Sequence, residues 1–338
     1  MVSLQLIRAS NQQIATALPA KLIAVFVGGT SGIGETSLKQ FAKHAKAPRI
    51  YFVGRSDEAA GRIKRELQSL NPDGDYIFVK CDASLLRNVD IVCRDIAAKE
   101  EFINLLFLST GTLITGTKTE EGLHFFTALT YYSRIRFIAG LLPLLKQATG
   151  LRRVVNVFAG GKEGPISTSD FQAYKLGPSE GRGHLSSMLT LSLEALARDS
   201  SNVSFVHDYP GFVKSNLGRG TKGVGMAVAK ALFKVVGLFL NIPNEEVGER
   251  HTFFCTSARF PPSQGVEDAA GVTLSGIQAT VGTDGNLGSG VYSIDYEGEP
   301  ARQGALQSLA GLRQDGTSEK LWKHVQDEFT RVAGPQSI

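Results

Sequence analysis

Cysteine is scarce in this chain, and Cys81, Cys93 and Cys255 are widely spaced and odd in number. They build neither a disulfide framework nor a zinc site, and they suit a reducing compartment, so a cytoplasmic location is expected. A charge excess of one sign is lacking too. The 36 Lys+Arg against 32 Asp+Glu leave a formal charge of +4 over 338 residues, and no basic run interleaves with aromatics. A nucleic-acid partner is therefore not expected. No long hydrophobic run goes uninterrupted. The nearest, residues 223–240 (GVGMAVAKALFKVVGLFL), carries Lys230 and Lys234 four apart on one face. Paired lysines at mid-span are costly in a bilayer, so no transmembrane span is expected. The segment reads as a helix covering an apolar pocket, with attachment to a membrane surface as a third option. The N-terminal residues 1–19 mix Gln, Asn, Arg and apolar side chains and read as neither a signal peptide nor a span.

What the chain has is glycine and a regular alternation. Residues 22–27, 50–53, 76–79, 103–108, 154–158 and 203–206 are short runs rich in β-branched or aromatic residues. Each is followed by a segment at helical spacing: 34–45, 57–70, 85–99, 120–147 and 184–198 among them. Near-continuous apolar strands alternating with helices predict an α/β fold, a doubly wound parallel sheet covered on both faces. The division expected is an N-terminal extension at 1–20 and one Rossmann-type domain at 21–338. That domain includes substrate-cover helices at 220–260 and a C-terminal strand (290–295) and helix (318–332).

The strongest chemical signal is the first strand-to-helix turn, VFVGGTSGIG at residues 25–34. Gly28, Gly32 and Gly34 let the chain turn tightly and let backbone N–H groups approach a pyrophosphate. The helix N-terminus adds its dipole and unpaired donors. Thr30, Ser31 and Ile33 complete the loop as cofactor-binding candidates. Arg55 lies 21 residues after Gly34, at the end of the second strand. An acidic residue there would hold a ribose 2′-hydroxyl, whereas arginine accommodates a 2′-phosphate, so NADP(H) is expected over NAD(H). Asp82, after the third strand, is a candidate for the adenine edge, with helix capping as its alternative.

Here the chain resembles the short-chain dehydrogenases/reductases, from about residue 22 to the C-terminus. Its glycine loop is similar to the family's Thr-Gly-x-x-x-Gly-Ile-Gly, with Val27 in place of the threonine. Cys81–Asp82–Ala83–Ser84 resembles the Asp-Val-Ser element at the adenine. Ser109–Thr110–Gly111 stands where the family has Asn-Ala-Gly, with only Gly111 kept. Pro210–Gly211–Phe212–Val213 is similar to the loop that touches the nicotinamide, which implies roles for Pro210, Gly211 and Val213. Residues 244–257, 290–292 and 321–322 resemble the retinol-dehydrogenase-like branch.

The family's catalytic residues are Asn, Ser, Tyr and Lys, the tyrosine donating a proton to the carbonyl oxygen as hydride is transferred. Alignment puts Thr130 at the asparagine, Phe158 and Ala159 at the Ser-Ser pair, Arg182 at the tyrosine and Ser186 at the lysine. All four positions are replaced. A Tyr-x-x-x-Lys does occur at Tyr76–Lys80, but on the third strand, far from any nicotinamide. Tyr174 and His184 are the catalytic candidates: a loop tyrosine within reach of the site, and a histidine whose ordinary pKa suits proton transfer. Each has a plainer reading, as a packing and a capping residue, and Tyr131 and Tyr132 read as packing aromatics. No metal site is expected.

Three functions stay open. The first is an NADP(H)-dependent oxidoreductase with an unconventional proton donor. Its substrate would be a small apolar carbonyl compound, a class chosen because the chain resembles members of the family from fungal natural-product pathways. The second is a non-redox isomerase, dehydratase or cyclase on the same scaffold. The third is a non-catalytic nucleotide-binding subunit. Substrate identity and oligomeric state are not legible.

Overall fold

The computed structural model describes residues 2–213 and 241–334. Seven parallel strands form one sheet: β1 (Ile23–Val27), β2 (Arg49–Gly54), β3 (Asp75–Lys80), β4 (Leu105–Leu108), β5 (Arg153–Val157), β6 (Ser204–Asp208) and β7 (Val291–Ile294), ordered β3-β2-β1-β4-β5-β6-β7. The chain lays down β1, β2 and β3 in one direction, then returns to place β4 on the other side of β1. That reversal opens a crevice at the C-terminal ends of β1 and β4, where doubly wound sheets bind ligands.

Strand side chains alternate between two apolar faces, and each face is capped by helices. Val25, Val27, Leu106 and Leu108 face α4 (Leu86–Ala97), α5 (Ser133–Gln147) and α6 (Pro178–Arg198). Ala24, Phe26, Phe52 and Phe107 face α2 (Gly32–His44) and α3 (Asp57–Leu70). The rings of Phe26 and Phe107 sit 5.2 Å apart and those of Phe26 and Phe41 5.7 Å apart, so α2 is stacked directly onto the central strands. Burying both faces of every central strand requires runs such as IAVFV, and β1 is buried at each position.

Two segments have places the sequence did not indicate. The expected extension is part of the core: α1 (Leu4–Gln12) buries Ile7, and Ile14 and Leu18 follow it inward. It packs on α7 (Asn244–Thr256), which in turn packs on α2. The latter part of the expected substrate cover is therefore a core helix, while residues 223–240 lie outside the described residues. The predicted helix over 120–147 is interrupted by a π-helical turn at Ala128–Tyr132, before α5 resumes. Such turns insert one residue and recur at functional sites. The C-terminal strand is β7, and α8 (Gln303–Gln314) and α9 (Thr317–Ala333) close the α6 face through Leu309, Leu321, Val325 and Phe329. No described helix is long and apolar enough to cross a membrane.

The α1–α7 contact hangs on a buried polar cluster. The Asn11 amide donates to the Glu249 carboxylate at 2.6 Å and to its backbone carbonyl at 2.9 Å, and Gln40 donates to the same carboxylate at 2.6 Å. Replacing Asn11 with Ala leaves that carboxylate short of a donor, at a cost of about 1–3 kcal/mol. Urea unfolding of Asn11→Ala should show this loss; an unchanged midpoint would mean that α1 is not held by Glu249.

Candidate active site

The nucleotide half of the crevice is built from glycine conformations. Gly28 has φ 87° and Gly32 φ 57°, both in the left-handed region that side chains avoid. A methyl on Gly28 would lie 2.9 Å from the Ser109 hydroxyl, and one on Gly34 would run into the Gly28 carbonyl. The Gly28 N–H donates to the Val53 carbonyl at 3.0 Å, tying the loop to β2. The Ser31 side chain makes no cap, so it takes none of the opening N–H groups of α2, where the helix dipole favours an anion. Glu35 in that first turn would repel an anion. Burial pushes its pKa up, but Arg62 at 2.7 and 2.9 Å and Lys39 at 2.5 Å more than offset this and neutralise it.

The other cofactor candidates line the same edge. Thr30 packs on Gly54, and the next residue, Arg55, is exposed with no ion pair among the described residues. Asp82 accepts from the Ser84 N–H at 3.0 Å and hydroxyl at 2.8 Å, which fixes the turn after β3. Gly111 follows β4, and Gly211 (φ 76°) turns the Pro210–Val213 loop after β6. These features fit a dinucleotide with a 2′-phosphate: a side-chain-free cradle, a helix N-terminus and an unpaired arginine.

Two of the replaced catalytic positions meet, but not on family chemistry. The Ser186 hydroxyl donates to the Ala159 carbonyl at 2.6 Å, which brings the lysine and serine positions together in the interior. Thr130 is buried in the π turn with an unpartnered hydroxyl, and Arg182 is exposed on α6. Tyr76 donates to the Asn71 carbonyl and Lys80 pairs with Asp57, so that Tyr–Lys motif is structural. Tyr131 and Tyr132 are buried against Ser192 and His324.

His184 has both ring nitrogens engaged. Nδ1 accepts from the Ser167 N–H at 3.1 Å, and Nε2 donates to the Phe171 carbonyl at 3.2 Å. Burial lowers its pKa. The ring pins the loop before α6 and has no nitrogen to offer a substrate. Tyr174 is 39% exposed on that loop, its ring stacked on His124 at 4.3 Å with Lys118 Nζ 5.7 Å from its centroid.

Sequence reasoning missed the charged groups under the site. The Arg134 guanidinium is fully buried, donating to the carbonyls of Thr110 and of Val157 (2.9 Å), and so bridges the ends of β4 and β5. Burial lowers its pKa to about 9, and the charge of Asp208 counters this only in part. His207 accepts from the Ala159 N–H at 3.0 Å through Nε2 and contacts the Thr190 hydroxyl at 2.9 Å through Nδ1. Thr190 donates to Glu163 at 2.8 Å and Ser293 donates to the same oxygen at 2.5 Å. Burial and Arg134 push His207 down to about 3, and burial pushes Glu163 up. Their 3.7 Å approach therefore involves a neutral imidazole and is not an ion pair. The available signal was position: His207 and Asp208 end an apolar strand run at its C-terminal end. A shallow hollow lined by Leu142, Lys146 and Asn202 lies at the opposite end of the strands.

This neutrality sets a pH dependence. His207 is neutral when folded but binds a proton near its ordinary 6.5 when unfolded, so its contribution is present above pH 6.5 and lost as pH falls toward about 3. His184 and His324, also lowered by burial, act in the same direction. Between pH 6.5 and 5, His207 alone should remove about 2 kcal/mol of stability. Urea unfolding across that window should show the decline, and His207→Asn should flatten it; identical slopes would mean that folding leaves the His207 pKa unshifted.

No family model matches the chain. It is 37% identical to "Oxidoreductase andH" of Emericella variicolor over 99% of this chain and 98% of that one. It is 30% identical to "Short-chain dehydrogenase/reductase SAT2" of Stachybotrys chartarum, with 96% of each chain covered. Among solved structures, a Pseudomonas aeruginosa RhlG/NADP complex superposes with TM-score 0.53 at 19% identity, over 72% of this chain and 92% of that one. The NADPH-bound carbonyl reductase from chicken fatty liver gives 0.51 at 17% identity, over 84% and 100%. Full-length likeness to a named member, on a seven-stranded parallel sheet with a glycine cradle at its switch point, makes the chain a member of the short-chain dehydrogenase/reductase family.

Proposed function

We propose that the chain is an NADP(H)-dependent reductase or dehydrogenase acting on an apolar carbonyl intermediate of secondary-metabolite biosynthesis, with a proton donor other than the family's tyrosine. The observation that carries the reading is the glycine cradle with Arg55 unpaired at the end of β2, in a chain similar over its whole length to named oxidoreductases. Bound there, NADP(H) supplies or accepts a hydride. The α2 N-terminus would hold the pyrophosphate, Arg55 the 2′-phosphate, Asp82 the adenine edge, and Gly111 with Pro210, Gly211 and Val213 the nicotinamide end.

Leu113, Tyr174 and Phe212 support an apolar substrate, being large side chains 43%, 39% and 43% exposed on three loops. With His184 committed to the backbone, Tyr174 is the proton donor in this reading. Burial, Asp170 and Glu328 raise its pKa, so the phenol carries its proton at neutral pH. A non-redox isomerase, dehydratase or cyclase is the second reading, favoured by Ser186 being turned into the backbone where a lysine would face the cleft.

NADPH should bind more tightly than NADH, and Arg55→Ala should erase the difference, a charge-assisted contact of roughly 1.5–3 kcal/mol. Calorimetry giving equal affinities for the unmodified chain would sink the cofactor assignment. NADPH consumption during turnover separates the two readings, since the non-redox reaction leaves it unchanged. Arg182→Tyr should not create ordinary reductase activity, because a phenol near pKa 10 needs a cation beside it and Ser186 supplies none. Tyr174→Phe should lower turnover ~10²–10⁴-fold. A fully active Tyr174→Phe rules that donor out.

A further inference from the structure

We infer that Phe158 is the substrate-contacting wall of the cleft, held by the buried His207–Thr190–Glu163 chain, and that it meets an apolar ring of the substrate. The inference rests on the reading of the site as one for an apolar carbonyl compound. Phe158 extends β5, its N–H donating to the Asp208 carbonyl at 2.9 Å, and strand alternation puts its ring on the same face as Asn156 and the neighbouring His207. It is half-buried, whereas Val157 and Ala159 on either side are buried. Its ring lies parallel to the His207 imidazole, 6.2 Å away at 5°, and 6.0 Å from the Arg134 guanidinium carbon.

That imidazole cannot rotate. Nε2 accepts from Ala159, so Nδ1 carries the proton and donates to Thr190, which donates to Glu163. Ser293 accepts from the Gly161 N–H at 2.7 Å and donates to the same Glu163 oxygen. The Gly164 N–H is taken by the Ser187 hydroxyl at 3.0 Å. The N–H groups of Ala159, Gly161 and Gly164 thus all face inward, and the turn after β5 opens on the half-buried ring of Phe158, next to the position aligned with the family's serine, Ala159. Glu163 accepts two hydroxyl donors on one oxygen, and its other oxygen is buried without a partner among the described residues. Glutamine has the same shape and an acceptor oxygen, whereas alanine empties the site.

The probe is 2-decalone, a saturated bicyclic ketone, titrated calorimetrically into the full chain with and without NADP⁺. The chain should bind it, and Phe158→Ala should weaken binding by about tenfold or more, with NADPH affinity unchanged. Glu163→Ala should weaken it similarly, and Glu163→Gln should recover most of that loss. With a substrate that turns over, Phe158→Ala should raise KM with kcat nearly retained. Failure of the chain to bind 2-decalone, unaltered binding by Phe158→Ala, or a Glu163→Gln as weak as Glu163→Ala would each overturn the inference. If this binding pattern holds while NADPH is never consumed, the reductase reading fails and the aromatic wall stands.

Discussion

A guanidinium buried among backbone carbonyls holds together the edge at which this site forms. Moving Arg134 out of water is costly, and no carboxylate bonds to it among the described residues; the Thr110 and Val157 carbonyls offset that cost by accepting its hydrogen bonds. The two carbonyls terminate adjacent parallel strands, so one side chain fixes the relative position of β4 and β5. Its field has a second effect: together with burial it keeps His207 neutral. Only a neutral imidazole has the lone pair that accepts the Ala159 N–H, so the turn after β5 depends on a charge at the strand ends.

The two halves of the site are built on different physics. The nucleotide half is made of absent side chains: positive φ at Gly28 and Gly32, and close approach at Gly34. In the catalytic half, polar groups have moved from the cleft wall to beneath it. Ser186 and His207 both bond to the Ala159 backbone, and Thr190, Glu163 and Ser293 stand behind them. Both amide atoms of Asn156 and one oxygen of Glu163 are buried without protein partners. Unpaired groups of this kind cost about 1–3 kcal/mol each, so a sequence selected for stability alone would carry apolar residues here.

The sheet was legible because its signal is local. Each central strand is buried on both faces and must read as an unbroken apolar run, and the glycine loop announces itself by its position between a strand and a helix. The α1 docking was not legible, because Asn11 and Glu249 are 238 residues apart and each looks like a surface residue. Nor was the π turn, since TALTYY carries no breaker where helical spacing fails. His184 was read for its chemistry, but both its partners are backbone groups of a loop whose path spacing does not reveal. The buried chain under the site draws Glu163, Thr190, His207 and Ser293 from four separate segments. No window of sequence holds enough of it to be recognised.

Reduction and isomerisation make the same demand on such a site. Both place negative charge on a carbonyl oxygen, as an alkoxide in one and an enolate in the other, and both need that charge met by groups already in place. The family meets it with a tyrosine whose phenolate is favoured by lysine. Here the lysine position is a serine bonded to backbone, and Arg134 is a full positive charge buried at the ends of β4 and β5. In a medium that screens poorly, such a charge favours an anionic intermediate without touching it. Aligned to the family, the tyrosine and lysine positions fall on Arg182 and Ser186, while the buried Arg134 charge would support an oxyanion at the ends of β4 and β5. What divides the two chemistries is whether a hydride is delivered, and the glycine cradle, which marks a nucleotide site and not the use made of it, is common to both.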